Sequence, residues 1–205
     1  YEVPNKSESD AYYYCVATNT AKEGCSARTD GIHVKFTMIK TIDSDINKYT
    51  EFDSKYTYLI ASDVHVNATL IIPAGTVIKF NPSCWIGTED GGIINAVGTK
   101  ATTETEQDKL IYFTSYRDNS VGITIPESNG TPERADWEGI RIKGASGSKF
   151  VNCIFEYAGA EYNNETALKL ENKSTVQDCI FRYNDCKDIS DKVGALNIRE
   201  EAEGS

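Results

Sequence analysis

Methionine, tryptophan and histidine are scarce in this sequence, since 205 residues include one Met, two Trp and two His. Tyrosine, threonine, isoleucine and valine are plentiful instead, and this bias favours strands over helices. No apolar run approaches the roughly 20 residues that a helix needs to cross a bilayer, so we expect no membrane span. The length suits one domain with a small appendage.

Positive charge is also in short supply. Lys and Arg number 21 against 31 Asp and Glu, which gives a net charge of −10 and a pI near 4.7. Binding to phosphate groups requires a basic face, so this balance argues against nucleic acid or an anionic lipid surface as a partner. The sequence starts at Tyr1 without a methionine or a signal-like segment, and we therefore expect a processed chain or a fragment.

Common catalytic motifs are missing as well. The cysteines form no C-x-x-C pair and no zinc-type spacing with histidine, and neither G-x-S-x-G nor a phosphate-binding glycine loop occurs. The two histidines, His33 and His65, fall on strand-like segments whose alternation turns them away from the aliphatic face. We expect both to be ordinary surface residues.

The stretch from Asn67 to Asn81 predicts how the chain is wound. Two short strands, Thr69–Ile72 and Thr76–Phe80, flank the corner Pro73-Ala74-Gly75. Proline fixes φ and glycine allows positive φ, so this corner turns sharply while its neighbours stay extended. It is not a hairpin turn of the Asn-Gly or Asp-Gly type. The pattern is typical of a coil that turns from one face of a parallel β-solenoid to the next.

An internal repeat in the second half supports the same interpretation. The segments Ser148–Tyr157 and Ser174–Tyr183 align with their starts 26 residues apart, and each follows a short strand-like piece. A period in the twenties made of short strands is what a solenoid coil needs. We expect Ile154 to lie over Ile180 and Phe155 over Phe181, with one residue type inside and the other outside. A leucine-rich repeat has a similar period, but its L-x-x-L-x-L signature is missing.

The corner region also resembles a known family. The pattern A-T-L-x-I-x-x-G-T-V-I-K-F at residues 68–80 is similar to the first full coil of secreted right-handed parallel β-helix proteins on microbial cell surfaces. The W-x-G-I at residues 137–140 resembles the same family. The resemblance implies an all-β, right-handed parallel β-helix of the pectate-lyase-like superfold. We assign residues 31–205 to this domain and residues 1–30 to a disulfide-closed N-terminal capping segment.

The six cysteines fall into three candidate pairs, which are Cys15 with Cys25, Cys153 with Cys179, and Cys84 with Cys186. The first pair is expected to close a loop in the capping segment. The second pair occupies equivalent positions in successive repeats, so these residues either stack as buried thiols or form a bridge. The third pair either bonds internally or to neighbouring chains, because sequence does not choose among the pairings.

Five asparagines lie in Asn-x-Ser/Thr glycosylation sequons, namely Asn5, Asn67, Asn129, Asn164 and Asn172. Together with an even cysteine count and an acidic composition, they favour an oxidising, extracellular setting at a cell surface. A cytosolic chain with reduced, buried thiols is the alternative.

Two weaker signals concern ligands. Asp43, Asp45 and Asn47 are spaced like the start of a calcium loop, which makes Ca²⁺ a candidate ligand, although the later glycine and glutamate are missing. A polar turn with aspartates that cap a short helix is the alternative. Arg141-Ile-Lys143 matches the Arg-x-Lys tripeptide of polygalacturonase-like enzymes, without the aspartates and Gly-His-Gly that accompany it there. With Trp137 and the turn-rich, exposed loop expected at 119–134, this tripeptide defines a candidate glycan-binding face.

The function expected from these patterns is structural. The solenoid is strongly specified and the catalytic constellation is not, so we expect a non-catalytic structural or adhesive module of a cell envelope, such as a surface-layer, sheath or filament subunit. An open solenoid end favours a homo-oligomer or polymeric assembly. The alternative is a carbohydrate-active enzyme or glycan-binding module on the same scaffold.

Overall fold

The computed structural model divides the chain into two compact units, residues 1–37 and residues 38–205. It describes the main chain of residues 11–13, 16–18, 26–28 and 32–34, and the full residues 39–89, 91–126, 128–160, 166–185 and 195–198. The sequence-based prediction places the boundary after residue 30. All the regular structure within these ranges is strand. No helix there has the length and apolar character to cross a membrane.

The first unit contains two small antiparallel pairs. The strands described in it are β1 (Ala11–Tyr13), β2 (Val16–Thr18), β3 (Ser26–Arg28) and β4 (Ile32–Val34). Strand β1 pairs with β4, and β2 pairs with β3. Cys15 and Cys25, the predicted closing pair of a capping segment, lie outside the described residues, so the cap remains a prediction.

The described residues of the second unit form three parallel sheets. The first sheet contains β5 (Ile39–Ile42), β7 (Thr57–Ile60), β10 (Val77–Phe80), β13 (Ile111–Ser115), β16 (Cys153–Glu156) and β19 (Ile180–Arg182). The second contains β8 (Val64–Val66), β11 (Trp85–Thr88), β14 (Gly139–Ile142), β17 (Leu168–Leu170) and β20 (Leu196–Ile198). The third contains β6 (Thr50–Glu51), β9 (Thr69–Pro73), β12 (Ile93–Val97), β15 (Lys149–Val151) and β18 (Thr175–Gln177).

From β7 onward the chain visits the three sheets in the same order, so each circuit is a coil that pairs with the coil before it. In the first circuit, an isolated parallel bridge between Ile46 and Val66 takes the place of a strand in the second sheet. The predicted corner Pro73–Gly75 separates β9 from β10, which lie in different sheets and are not folded back on each other. Gly75 has φ of +84°, a conformation that favours glycine. The arrangement is consistent with a parallel β-helix, and the predicted winding between sheets is confirmed.

The internal repeat corresponds to two stacked coils. Ile154 pairs with Ile180 and Phe155 with Phe181 between β16 and β19. The phenylalanine rings stack with centroids 4.7 Å apart, and Phe155 also stacks on Phe113 at 5.0 Å. Phe155 belongs to the core, whereas Ile154 does not, so the phenylalanines face inward and the isoleucines outward. The predicted column of like side chains is therefore confirmed.

The residues that flank the two repeated strands recur because both copies need the same backbone conformation there. Asn152 and Asp178 precede the repeated cysteines, and both adopt positive φ of 51° and 52°. Asn and Asp tolerate this left-handed region better than other side chains with a Cβ. The last residues of the repeat, Tyr157 and Tyr183, also have positive φ and stack at 5.5 Å. The repeat therefore preserves the two corners of a coil as well as its core strand.

The column of phenylalanines gives a test of the stacking. Replacing Phe155 with Ala should lower the free energy of unfolding by about 3–5 kcal/mol, because its ring is fully buried between two others. Phe181→Ala is the matched control, since that ring contacts a described coil on one side only and should cost less than half as much. Denaturant unfolding measures both, and equal losses would contradict the stacking order.

Candidate functional site

A cluster of buried charged side chains lies on the outer face of the first sheet. Alternation along β10 sends Ile78 and Phe80 into the core and Lys79 to the outside. Parallel register then places Lys79 beside Thr114 of β13. Phe113 pairs with Phe155 on β16, so the residues that follow them, Thr114 and Glu156, are neighbours in the same outer row. Lys79 is 0% exposed and Glu156 is 3% exposed, although both project away from the core.

The cover over this cluster is the long insertion between β13 and β14. The Lys79 ammonium donates to the carbonyl oxygens of Asp118 and Ile123, at 2.5 and 2.6 Å. The Ile123 amide donates to the hydroxyl of Thr57, one coil earlier. The sequence predicts an exposed loop over residues 119–134. Its first part, up to residue 125, instead folds back onto the sheet, because a lysine on the outer face binds its main chain.

Asp118 stabilises the cluster from the side of the insertion. Its Oδ2 accepts a hydrogen bond from the Thr114 hydroxyl at 2.8 Å, and its Oδ1 accepts from the amide and hydroxyl of Ser120. Burial lowers the pKa of Lys79, and the negative charge of Asp118 opposes that shift. The carboxylate therefore serves two purposes, since it shapes the turn at Ser120 and compensates the buried ammonium.

Glu156 belongs to the same outer row and has a partner in the last coil. Its carboxylate accepts a hydrogen bond from Nε of Arg182. Burial raises the pKa of Glu156, while the hydrogen bond and the charge of Arg182 lower it. The guanidinium is half-exposed and links two successive coils, so we assign this ion pair to coil stacking.

A second ion pair closes the base of the insertion. Asp136, with a side chain that is 6% exposed, accepts hydrogen bonds from Arg117 Nη1 at 2.8 Å and from the Ser115 hydroxyl at 2.7 Å. The amide of Glu133 also donates to Asp136. Both ends of residues 117–136 are thereby tied together. These polar groups serve to hold the insertion in place, and we find no arrangement of substrate-facing acid and base among them.

The predicted calcium residues lie in the first coil. Asp45 Oδ1 accepts from the main-chain amide of His65 at 2.9 Å, and this bond lowers the pKa of Asp45. Asn47 accepts from the side chain of Asn67 at 2.8 Å. Both oxygens thus join consecutive coils. Within the described ranges, no group of three or more His, Cys, Asp or Glu side chains could hold a metal ion. A shallow cavity of about 220 Å³ is lined by this segment, including Asp43, and by Phe52.

The predicted glycan-binding trio is split between the core and the surface. Trp137 is fully buried, stacks on Phe80 at 3.9 Å and donates its indole N–H to the carbonyl of Glu156. Neither face of its ring is open to a sugar. Arg141 lies on the outer face of the second sheet, over the ring of Trp85, and is paired with Glu138 at 2.7 Å. Lys143 is half-buried at the end of that strand.

Trp85 is the aromatic residue that the sequence analysis missed. It starts β11 with its side chain on the outer face, between Arg141 and the edge of His65, whose ring centroid lies 4.9 Å away. Arginine covers the ring and leaves Trp85 only 8% exposed. The signal in the sequence was the alternation of Trp85 with the inward Ile86, which places the indole outside.

Three of the five sequons lie in the described residues, and their asparagines differ in what the amide nitrogen binds. Asn172 Nδ2 donates to the carbonyls of Gly144 and Ala145. Asn67 Nδ2 donates to Asn47. Asn129 is exposed, and its side-chain oxygen accepts from the Thr131 amide. Asn5 and Asn164 lie outside the described residues.

The cysteines in the described residues are Cys84, Cys153 and Cys179, and all three are free thiols. Burial raises the pKa of Cys84 to about 11, so this thiol is unreactive near neutral pH. Cys153 lies on β16 and Cys179 directly precedes β19, so the register between these strands makes them neighbours, as the repeat predicts. Cys186 lies outside the described residues, so its predicted pairing with Cys84 remains a prediction.

Comparison with known proteins identifies no relative of this chain. No protein-family model, no curated protein and no solved structure matches it. The geometry above therefore carries the functional argument.

Lys79 provides a test of the cover over the first sheet. A hydrogen bond from a charged donor contributes roughly 1.5–3 kcal/mol. Lys79→Met should therefore accelerate hydrogen exchange at the amide of Ile123 at least about tenfold, because exchange follows the population of the open loop. Lys149→Met, at an exposed strand position, is the control and should leave that rate unchanged. An Ile123 amide that stays equally protected in Lys79→Met would contradict the assignment.

The sequons provide a second test. In protein secreted from a glycosylating host, we expect a glycan on Asn129 and lower occupancy at Asn172, where a glycan would compete with two hydrogen bonds to the neighbouring coil. Peptide mapping by mass spectrometry measures both sites. Asn129→Gln should remove its glycan without changing the midpoint of thermal unfolding. Full occupancy at Asn172 in folded protein, with none at Asn129, would overturn this ranking.

Proposed function

We propose that this chain is a non-catalytic structural or adhesive module of a cell envelope, located outside the cell, that associates with further copies of itself. We extend the fold to a right-handed parallel β-helix related to the pectate-lyase-like cell-surface proteins, because crossovers between parallel strands are almost always right-handed. The N-terminal segment would act as a cap closed by Cys15 and Cys25.

The observation that carries the proposal is the open edge of the last coil. Among the described strands, β18, β19 and β20 each pair with the preceding coil and with no later strand. Exposed apolar side chains accompany this edge, with Ile180 at 45%, Tyr183 at 51% and Ile198 at 66% exposure. Unpaired main-chain groups beside apolar side chains are a template for strand addition. A second copy offers strands of the same twist and spacing.

The polar clusters support a non-catalytic role. Lys79, Asp118 and Asp136 bind the insertion or its base, and Glu156 binds Arg182. Their hydrogen bonds hold parts of the same chain together. The outward indole beside β14 is likewise covered by a guanidinium. These buried charged side chains and the outward indole therefore serve the stacking of coils and the packing of the insertion.

Self-association is tested by a pair of matched substitutions. Ile180 and Val97 are about equally exposed, at 45% and 43%, but Ile180 lies on the open edge and Val97 in a central coil. Burying an isoleucine contributes about 1.5–3 kcal/mol, so Ile180→Lys should weaken association by more than about tenfold. Val97→Lys should leave it unchanged. Sedimentation velocity over a concentration series measures the effect.

Two outcomes would overturn the proposal. Self-association is contradicted if the wild-type chain stays monomeric at every concentration and negative-stain images show no lattice or filament. If Ile180→Lys and Val97→Lys weaken self-association equally, the open edge is not the site of association. Labelling of intact cells of the native host with an impermeant reagent tests the location, and absence of labelling contradicts an external position.

A further inference from the structure

Two cysteines occupy neighbouring positions in one inward column. Ile111 of β13 pairs with Cys153 of β16, and the register between β16 and β19 places Cys179 directly above Cys153. Adjacent strands lie about 4.8 Å apart, within the Cα separation that disulfides span. The two thiols are close enough for each to shift the pKa of the other. Each sulfur also lies near a main-chain carbonyl, with Cys179 Sγ 3.3 Å from Phe150 O.

The two thiols differ in exposure and acidity. Cys153 is 0% exposed, whereas Cys179 is partly exposed at the end of the stack. The hydrogen bond from Cys153 lowers the pKa of the Cys179 thiol to about 7, because it stabilises the thiolate. The same contact, together with burial, raises the pKa of Cys153. Cys179 is therefore the accessible nucleophile at neutral pH, and Cys153 is the buried thiol beside it.

We propose that Cys153 and Cys179 are a modification site at which a reversible disulfide attaches the last described coil to the coil before it. The oxidant is a small-molecule disulfide such as oxidised glutathione. The Cys179 thiolate attacks one sulfur, breaks the S–S bond and releases one thiolate. Cys153 then gives its proton to that released thiolate and attacks the Cys179 sulfur, which expels the second small molecule as a thiolate. That thiolate takes from solvent the proton that Cys179 lost when it ionised. One dithiol and one disulfide become one protein disulfide and two small thiols.

The bridge has a structural consequence at the edge of the stack. The strand β19 contacts one described neighbour, and the side chains of Ile180 and Arg182 are about half-exposed. A covalent link at the residue before β19 prevents this strand from separating from β16. The inference does not depend on self-association, because it concerns two residues of one chain. It is the edge strand that gains most from the link, since internal strands are held from both sides.

The experiment uses the full chain, reduced and then treated with oxidised glutathione at neutral pH. We expect a loss of about 2 Da per bridge and, after digestion without reduction, a peptide pair linked through Cys153 and Cys179. The midpoint of thermal unfolding should rise by several degrees and fall again on reduction. A map in which Cys179 pairs with Cys84 or Cys186, or stays a free thiol, overturns the proposal.

Two variants separate the roles of the thiols. Cys153→Ser should retain a stable mixed disulfide with one glutathione at Cys179, because the second attack is lost. Cys179→Ser should leave Cys153 unmodified, since the buried thiol does not reach the oxidant. In wild type, alkylation of Cys179 should accelerate as pH rises through about 7, the pKa of that thiol. Modification of Cys153 in Cys179→Ser, or a Cys179 rate that does not change with pH, contradicts this order of events.

Discussion

In-register pairing between successive coils is the constraint on which the second unit depends. A single coil has no strand partner within itself, so its main-chain groups and its inward side chains are satisfied only by the coils above and below. The columns follow from this pairing. Phe113, Phe155 and Phe181 stack because each is at the same register position of a parallel strand. The polar contacts obey the same rule, as the bonds from Asp45 and Asn47 to the next coil demonstrate.

The long insertion between β13 and β14 is accommodated without disturbing this pairing. Its residues leave the stack at Tyr116 and return at Trp137, and β14 still pairs with β11 in register. Arg117 and Asp136 connect the two ends of the insertion, and Lys79 binds its first part. A buried lysine is costly unless hydrogen-bonded, and here two carbonyls supply the partners. Charge is thus used to fix a loop that has few apolar residues of its own.

Local patterns in the sequence predicted the winding of the chain, but they did not predict that the insertion between β13 and β14 covers the outer face of the first sheet. The corner at Pro73–Gly75 and the Cys-Ile-Phe repeat predict the winding, the register and the alternation of Ile with Phe, because these depend on periodicity within a coil. Which of the two residue types faces inward is decided only by the structure. Lys79 has the alternation of a solvated residue, and its burial depends on a loop some forty residues later. Trp137 lies just before β14, at a corner of the coil. The alternation of a strand does not indicate which way a side chain points there, so the burial of Trp137 in the core could not be predicted. The candidate site residues were therefore identified less well than the fold.

The last coil differs from the others because half of the interactions that stabilise an internal coil are missing among the described residues. Phe181 has one stacked ring where Phe155 has two, and Ile180 is exposed where its counterpart Ile154 is buried. Two kinds of interaction can supply what is lacking. A strand from a second copy would satisfy the main-chain groups of β19, whereas a disulfide to β16 would restrict its motion without covering it. The two effects act on opposite sides of the same strand, so a covalently fixed edge is also a better-ordered template for addition.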